Sequence, residues 1–155
     1  MIVVTEGDSM NIASIMPVMA DAFDASFGEA WTAAQCLSAL AMPDCRLLIA
    51  QSGDSVIGFA ISRWVLDIEE LLMIAVSKNW QRQSIGTVLL QNVIAKARYD
   101  KRLKLYLEVR DGNVAYDFYR DVGFSPIGRR KQYYSGHNGM RPDAITMAMD
   151  LEINE

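Results

Sequence analysis

Two side chains and one loop in this sequence have the types and spacing for chemistry. Glu108 lies in Leu105-Tyr106-Leu107-Glu108-Val109-Arg110, where apolar and polar residues alternate as on a strand with one buried face. A carboxylate in such a strand is costly unless it is paired or used. Its use would be to accept a proton, most simply through a water. Position alone favours the plainer account, a surface glutamate or one paired with Arg110. Tyr119 ends the run Asn113-Val114-Ala115-Tyr116-Asp117-Phe118-Tyr119. A phenol with a pKa of about 10 is able to protonate a leaving group and be restored by solvent. Tyr116 and Tyr119 are also one helical turn apart, the spacing of core packing.

The loop is Gln81-Arg82-Gln83-Ser84-Ile85-Gly86-Thr87. It follows an apolar run, Leu71 to Val76, and opens a helix in which Val88, Leu89, Val93, Ile94 and Ala97 recur at helical spacing. The first turn of a helix presents backbone N–H groups without intrahelical partners and the positive end of the macrodipole, so a phosphate is the natural occupant. Gly-Lys-Ser/Thr is absent, which excludes a Walker loop, and so is the Gly-x-Gly-x-x-Gly of dinucleotide sites. Taken alone, the stretch reads as an ordinary strand–loop–helix connection. His137 is the single histidine and has no acid or nucleophile near it in sequence, which argues against Ser-His-Asp or Cys-His chemistry and against zinc. Cys36 and Cys45 have no metal-ligand spacing and read as thiols of a reducing compartment, with the cytoplasm as the default location.

The elements that must position these groups fit one domain over residues 1–155, with 51% hydrophobic residues to supply a core. A net charge of −4 argues against a general nucleic-acid binder, and no apolar run reaches the ~20 residues of a membrane span. Met1 to Met10 lacks the features of a signal peptide. Strands are expected at Ile2–Thr5, Arg46–Gln51, Val56–Leu66, Glu69–Val76, Leu103–Val109, Phe124–Gln132 and Asp143–Leu151. Helices are expected from Ser9 to Phe27 (kinked or shortened by Pro17), Ala33 to Met42, Ile85 to Arg98 and Val114 to Val122. Thr32-x-x-Gln35 is a capping box with Trp31 as a staple, and Asp111-Gly112-Asn113 is a turn and cap. The order β-α-α-β-β-β-α-β-α-β-β, with one parallel pair among antiparallel strands, reads as a mixed α/β sheet layered with helices, an α+β fold.

Gln81-x-x-Ser84-x-Gly86 resembles the acyl-CoA diphosphate loop of the GNAT N-acetyltransferases, Gln/Arg-x-x-Gly-x-Gly/Ala. Ile74-Ala75-Val76 with Gln81-Arg82-Gln83 is similar to the ribosomal-protein-alanine branch, and the likeness spans nearly the whole chain. Ser84 stands where the family has Gly, and Asn113 is one residue closer to Tyr119. The resemblance implies acetyl-CoA as co-substrate and no metal. It implies cofactor contacts from Ile74, Ala75, Val76, Gln81, Arg82, Gln83, Ser84, Ile85, Gly86, Thr87, Asn113 and Tyr119. A bulge in the Leu71–Val76 strand would open a slot for the pantetheine arm, and the Val76 N–H would serve the oxyanion. Glu108, in Leu-Glu-Val-Arg, takes the role of base and Tyr119 that of acid. Phe27 and Trp31 would face Tyr133 and Tyr134 across an acceptor peptide. The implied reaction is direct attack by a protein N-terminal amine, specifically the N-terminal alanine of a small-subunit ribosomal protein. The implied protein is a monomer or weak dimer that binds neither nucleic acid nor membrane. A small-amine acetyltransferase and a non-catalytic acyl-CoA binder are the competing readings.

Overall fold

The computed structural model describes residues 1–23, 29–134 and 141–151. In chain order it contains β1 (Ile2–Gly7), α1 (Ile12–Ala22), α2 (Ala33–Leu40), β2 (Cys45–Ser52), β3 (Ser55–Val65), β4 (Ile68–Val76), α3 (Ile85–Tyr99), β5 (Lys104–Arg110), α4 (Ala115–Val122), β6 (Ser125–Arg130) and β7 (Ala144–Asp150). The order is the expected one, with most boundaries displaced by a residue or two; the first helix, expected over Ser9–Phe27, is only Ile12–Ala22 and ends at Phe23, whose backbone is extended. Residues 24–28, the end of the first expected helix, lie outside the described residues. Pro17 sits inside α1, which continues through it to Ala22. Thr32 and Gln35 close a reciprocal capping box at the start of α2.

The strands form a seven-stranded sheet in the order β1-β2-β3-β4-β5-β7-β6. β4 and β5 are its parallel pair and the other neighbours are antiparallel. Each face carries a helical layer. On one face Leu89, Leu90, Val93 and Ala97 of α3 pack with Leu105, Leu107, Val109, Tyr119 and Phe124. On the other, Ile15, Val18 and Met19 of α1 and Cys36 of α2 cover Phe59, Ile61, Met73 and Ala75. The alternation read in β5 holds, with Leu105, Leu107 and Val109 buried and Tyr106, Glu108 and Arg110 on the opposite face.

β4 departs from simple alternation. Its register with β3 passes from Ser62↔Leu71 to Ile61↔Met73, leaving Leu72 as an extra residue. Leu72 and Met73 therefore both face the α1–α2 layer, while Leu71, Ile74 and Val76 face α3. The pairing of β4 with β5 runs from Ile68↔Lys104 to Leu71↔Leu107 and stops there. Beyond the bulge the two strands part, and the gap between them is the cleft in which the site lies.

Below the bulge the strands are held by a buried ion cluster. Glu69 is fully buried; its carboxylate lies 3.4 Å from Arg46 Nη1 and 3.9 Å from Arg102 Nε. Arg46 also pairs with Asp100 and Glu6, and Arg46 and Arg102 both lie over the Trp64 ring. Burial pushes the Glu69 pKa up, against the opposing pull of Ser62, Arg46 and Arg102. Removing one partner leaves a buried charge uncompensated, which costs roughly 3–5 kcal/mol. Arg46→Ala should therefore lose about that much stability in urea unfolding at neutral pH. Because folding raises the Glu69 pKa, and raises it further without Arg46, that variant should recover stability as the pH falls and Glu69 takes up its proton.

Candidate active site

The loop before α3 is drawn onto the end of β4. Gln81 donates from Nε2 to the Val76 carbonyl at 3.0 Å, and Gln83 donates to the Asn79 carbonyl at 3.2 Å. Both glutamines thus shape the loop. Arg82 and Ser84 adopt left-handed backbone, with φ of 64° and 65°. Ser84 is the N-cap of α3 yet makes no side-chain capping bond, so the hydroxyl and the first-turn N–H groups of Ile85, Gly86 and Thr87 face outward from the helix start. A Cβ placed on Gly86 would stand 3.6 Å from the Phe118 ring and 3.9 Å from Val76. Gly86, the end of β4 and α4 therefore border one gap, and a side chain at position 86 would narrow it. These features fit a diphosphate at the helix start and an extended thiol arm in the cleft.

Backbone alternation sets the direction of the Val76 N–H. Ser77 donates to the Ile57 carbonyl on β3 at 2.9 Å, so the preceding N–H points to the other edge of β4, across the cleft toward β5. The side chains of Ile74 and Val76 pack on the α3 side, whereas Ala75 belongs to the α1–α2 core and its carbonyl faces Gly58 on β3.

Across the cleft stand the titratable groups. Glu108 is largely buried and pairs with Arg130 Nε at 2.9 Å. The expected partner Arg110 is instead bound to Glu29, Nε to Oε1 at 3.0 Å. Burial raises the Glu108 pKa, Arg130 opposes the shift and Glu70 adds to it. Tyr119 is 8% exposed and packs edge-on to Phe124 at 6.0 Å. Its pKa is raised, first by burial and then by Tyr134 and Glu29. It is therefore both a core residue and a phenol kept protonated beside the cleft. Tyr134 is held up in the same way, by burial first, then by Glu29, Glu108 and Tyr133. That set of neighbours joins Glu108, Tyr134, Glu29 and Tyr119 into one cluster. Tyr133 stands edge-on to Tyr134 at 5.2 Å and carries the Arg130 guanidinium over its ring.

Other expected residues take less direct places. Asn113 accepts from the Ala115 N–H at 2.9 Å, capping α4, and its amide faces Glu29 at 3.5 Å. Trp31 is half-buried against the α1–α2 core that holds Cys36, the position of a helix staple. Phe27 and His137 lie outside the described residues. The residue of the α1–α2 connection that reaches the site is Glu29, which the sequence reading passed over. It sits in an aperiodic stretch between Gly28 and Trp31, and the groups that reveal it are far along the chain. Among the described residues no group of three or more His, Cys, Asp or Glu has the arrangement of a metal site. No helix there is long and apolar enough to cross a membrane.

A mixed sheet split beside its parallel pair, with a phosphate-competent helix start at the split, defines an acyl-CoA N-acyltransferase architecture. Residues 12–124 match the acetyltransferase (GNAT) family, and the chain belongs to this family of acetyl-CoA-dependent N-acetyltransferases. Its relatives place it in the ribosomal-protein-alanine branch. It is 37% identical over 98 residues to the [ribosomal protein bS18]-alanine N-acetyltransferase of Haemophilus influenzae, covering 63% of this chain and 67% of that protein. It is 33% identical over 127 residues to the N-alpha-acetyltransferase RimI of Mycobacterium tuberculosis, covering 79% and 77%. The crystal structure of the ribosomal-protein-S18-alanine N-acetyltransferase from Escherichia coli superposes with a TM-score of 0.90 at 27% identity, over 100% of this chain and 97% of that one.

Three variants test this geometry. Ser84→Gly relieves left-handed strain of about 1 kcal/mol at most, so the Tm should rise by about 2–4 °C and calorimetric titration should show coenzyme A bound at least as tightly. If Glu108 is the base, Glu108→Gln should lower kcat by roughly 10²–10⁴-fold. Arg130→Gln removes the cation that holds the Glu108 pKa down, so the acid limb of kcat/KM against pH should move to higher pH. An unmoved limb would assign it to another group.

Proposed function

We propose that this chain acetylates the N-terminal α-amino group of a protein, with the N-terminal alanine of a small-subunit ribosomal protein as its acceptor. The observation that carries the reading is the parting of β4 from β5 beyond Leu71 and Leu107, one residue before Glu108, with the start of α3 tied to the same end of β4 through Gln81. The branch of the family to which the relatives belong supports the choice of acceptor, and a ribosomal acceptor agrees with a cytoplasmic site of action.

In this reading the N–H groups of Ile85, Gly86 and Thr87, with Arg82 and Ser84, hold the diphosphate of acetyl-CoA. Gln81 and Gln83 brace the loop. Acetyl-CoA supplies the activated acyl group as co-substrate. The Val76 N–H donates to the acyl oxygen, where negative charge develops during transfer. An α-ammonium has no lone pair and a pKa of about 8, so a modest base is enough. Glu108 takes that proton through a water, Arg130 keeping the carboxylate ionised against the cost of burial. Tyr119, held protonated by burial, gives its proton to the departing thiolate and recovers one from solvent. Tyr133 and Tyr134 form one wall of the acceptor channel. Tyrosine hydroxyls bind a peptide backbone without reading its side chains. No covalent acyl-enzyme is needed, since neither Cys36 nor Cys45 touches the cluster and burial raises both thiol pKa values.

The test is mass spectrometry of an alanine-starting peptide incubated with the protein and acetyl-CoA. One acetyl group should appear on the α-amine and none on an N-terminally blocked copy. Tyr119→Phe should cut kcat by about 10²-fold or more with coenzyme A binding unchanged. Turnover of small amines with none on peptides would replace this reading by a small-molecule acetyltransferase. Coenzyme A binding without any turnover would replace it by a non-catalytic binder.

A further inference from the structure

The face of the sheet that carries Glu108 continues below it as an open groove of about 310 Å³. The α1–α2 layer covers the upper part of this face, over Phe59, Ile61, Met73 and Ala75, and its core includes none of the groove residues. The groove floor is apolar. Val65 and Ile68 pair across the turn of the β3–β4 hairpin and are 68% and 41% exposed, and Tyr106 lies beside them on β5.

The charges in the groove are already matched. Glu70 pairs with Arg63 at 3.1 Å, and Glu108 pairs with Arg130 at 2.9 Å. A further ionic group would have to break one of these pairs, whereas an apolar group needs only the exposed carbons of Val65, Ile68 and Tyr106. The groove also shares Glu108 with the reaction site. Along β5, Tyr106 lies about 7 Å from Glu108, and the level of Lys104, which pairs with Ile68, lies about 13 Å away. An extended polypeptide whose terminal amine meets Glu108 advances about 3.3 Å per residue. Its third residue therefore comes over Tyr106, and its fourth, about 10 Å along, lies between Tyr106 and the level of Ile68.

We propose that this groove is an acceptor subsite that takes an aliphatic or aromatic side chain from the third or fourth residue of the polypeptide being acetylated. The proposal rests on the reading of the chain as a protein N-terminal acetyltransferase. The subsite makes the enzyme read sequence beyond the first residue, which the backbone-binding tyrosines do not.

The test compares alanine-starting peptides that carry Gly, Phe or Asp at positions three and four, using the wild-type chain and the variants Val65→Glu and Ile68→Glu. Both positions are exposed at a hairpin end, so the variants are expected to fold, and unchanged coenzyme A binding checks that they have. The Phe peptides should exceed the Gly peptides in kcat/KM by about tenfold on the wild type, from partial burial of one ring, with the Asp peptides lowest. In either variant the advantage should shrink to within about twofold while the Gly peptides are acetylated as before. Equal rates for Phe and Gly on the wild type, or an advantage that survives both variants, would remove the subsite and leave the proposed activity standing. If the wild type acetylates none of the peptides, the activity and the subsite fall together.

Discussion

The site depends on where β4 stops pairing with β5. A parallel ladder has evenly spaced bonds and no local reason to end, so something must break its register. Here it is one extra residue, Leu72, opposite the step from Ile61 to Ser62 on β3. The bulge turns two successive side chains to the same face and increases the local twist. From that point β4 and β5 no longer pair, and the N–H of Val76 is turned toward the gap between them. The loop after β4 and the start of α3 are tied to the same strand end through Gln81. One inserted residue thus sets both the slot and the distance from the slot to the first turn of α3.

A split sheet is stable only if its lower half stays closed. Glu69, one strand position from Glu70 and facing the opposite way, supplies the closure. It gathers Arg46 from β2 and Arg102 from the α3–β5 connection, and Arg46 reaches Asp100 in that same connection. Trp64 lies against both guanidiniums. The Leu103 N–H donates to the Asp67 carbonyl at 2.7 Å, lacing the start of β5 to the β3–β4 turn. A buried ion cluster of this kind adds little net stability over apolar packing, but it fixes one arrangement because every misregistered alternative strands a charge. Parallel strands joined only through a long crossover helix need such a constraint more than a hairpin does.

Most of the scaffold was legible in the residue pattern, and the reason is local. Period-two alternation in Leu105–Val109, the helical spacing after Gly86 and the Thr32–Gln35 box each carry their own structural consequence within a few residues. The bulge did not announce itself in Leu71-Leu72-Met73, since an extra apolar residue in an apolar run leaves no trace without its partner strand. The same limit explains the ion pairs. Glu108 was expected to choose between solvent and Arg110, two positions along the same strand. The structure gives it Arg130 from β6 and gives Arg110 to Glu29, a pairing across 81 residues of sequence. Asn113 was legible as a helix cap, and its Oδ1 accepts from the Ala115 N–H at the start of α4.

The two carboxylates at the cleft mouth divide labour through their partners. Glu29 is bound by an arginine at the end of β5 and faces the Asn113 cap, so its charge anchors the α1–α2 connection to the junction of β5 and α4. Its negative charge also raises the phenol pKa values of Tyr119 and Tyr134, which keeps both as donors. Glu108 is bound by an arginine from the edge strand β6, the more exposed of the two guanidiniums, with a side chain 59% accessible against 14% for Arg110. A pair with one solvent-facing member is held less firmly than one with both members shielded, because water competes for the exposed cation. Glu29 is therefore the more firmly anchored of the two carboxylates, while the partner of Glu108 is the one that water can draw away.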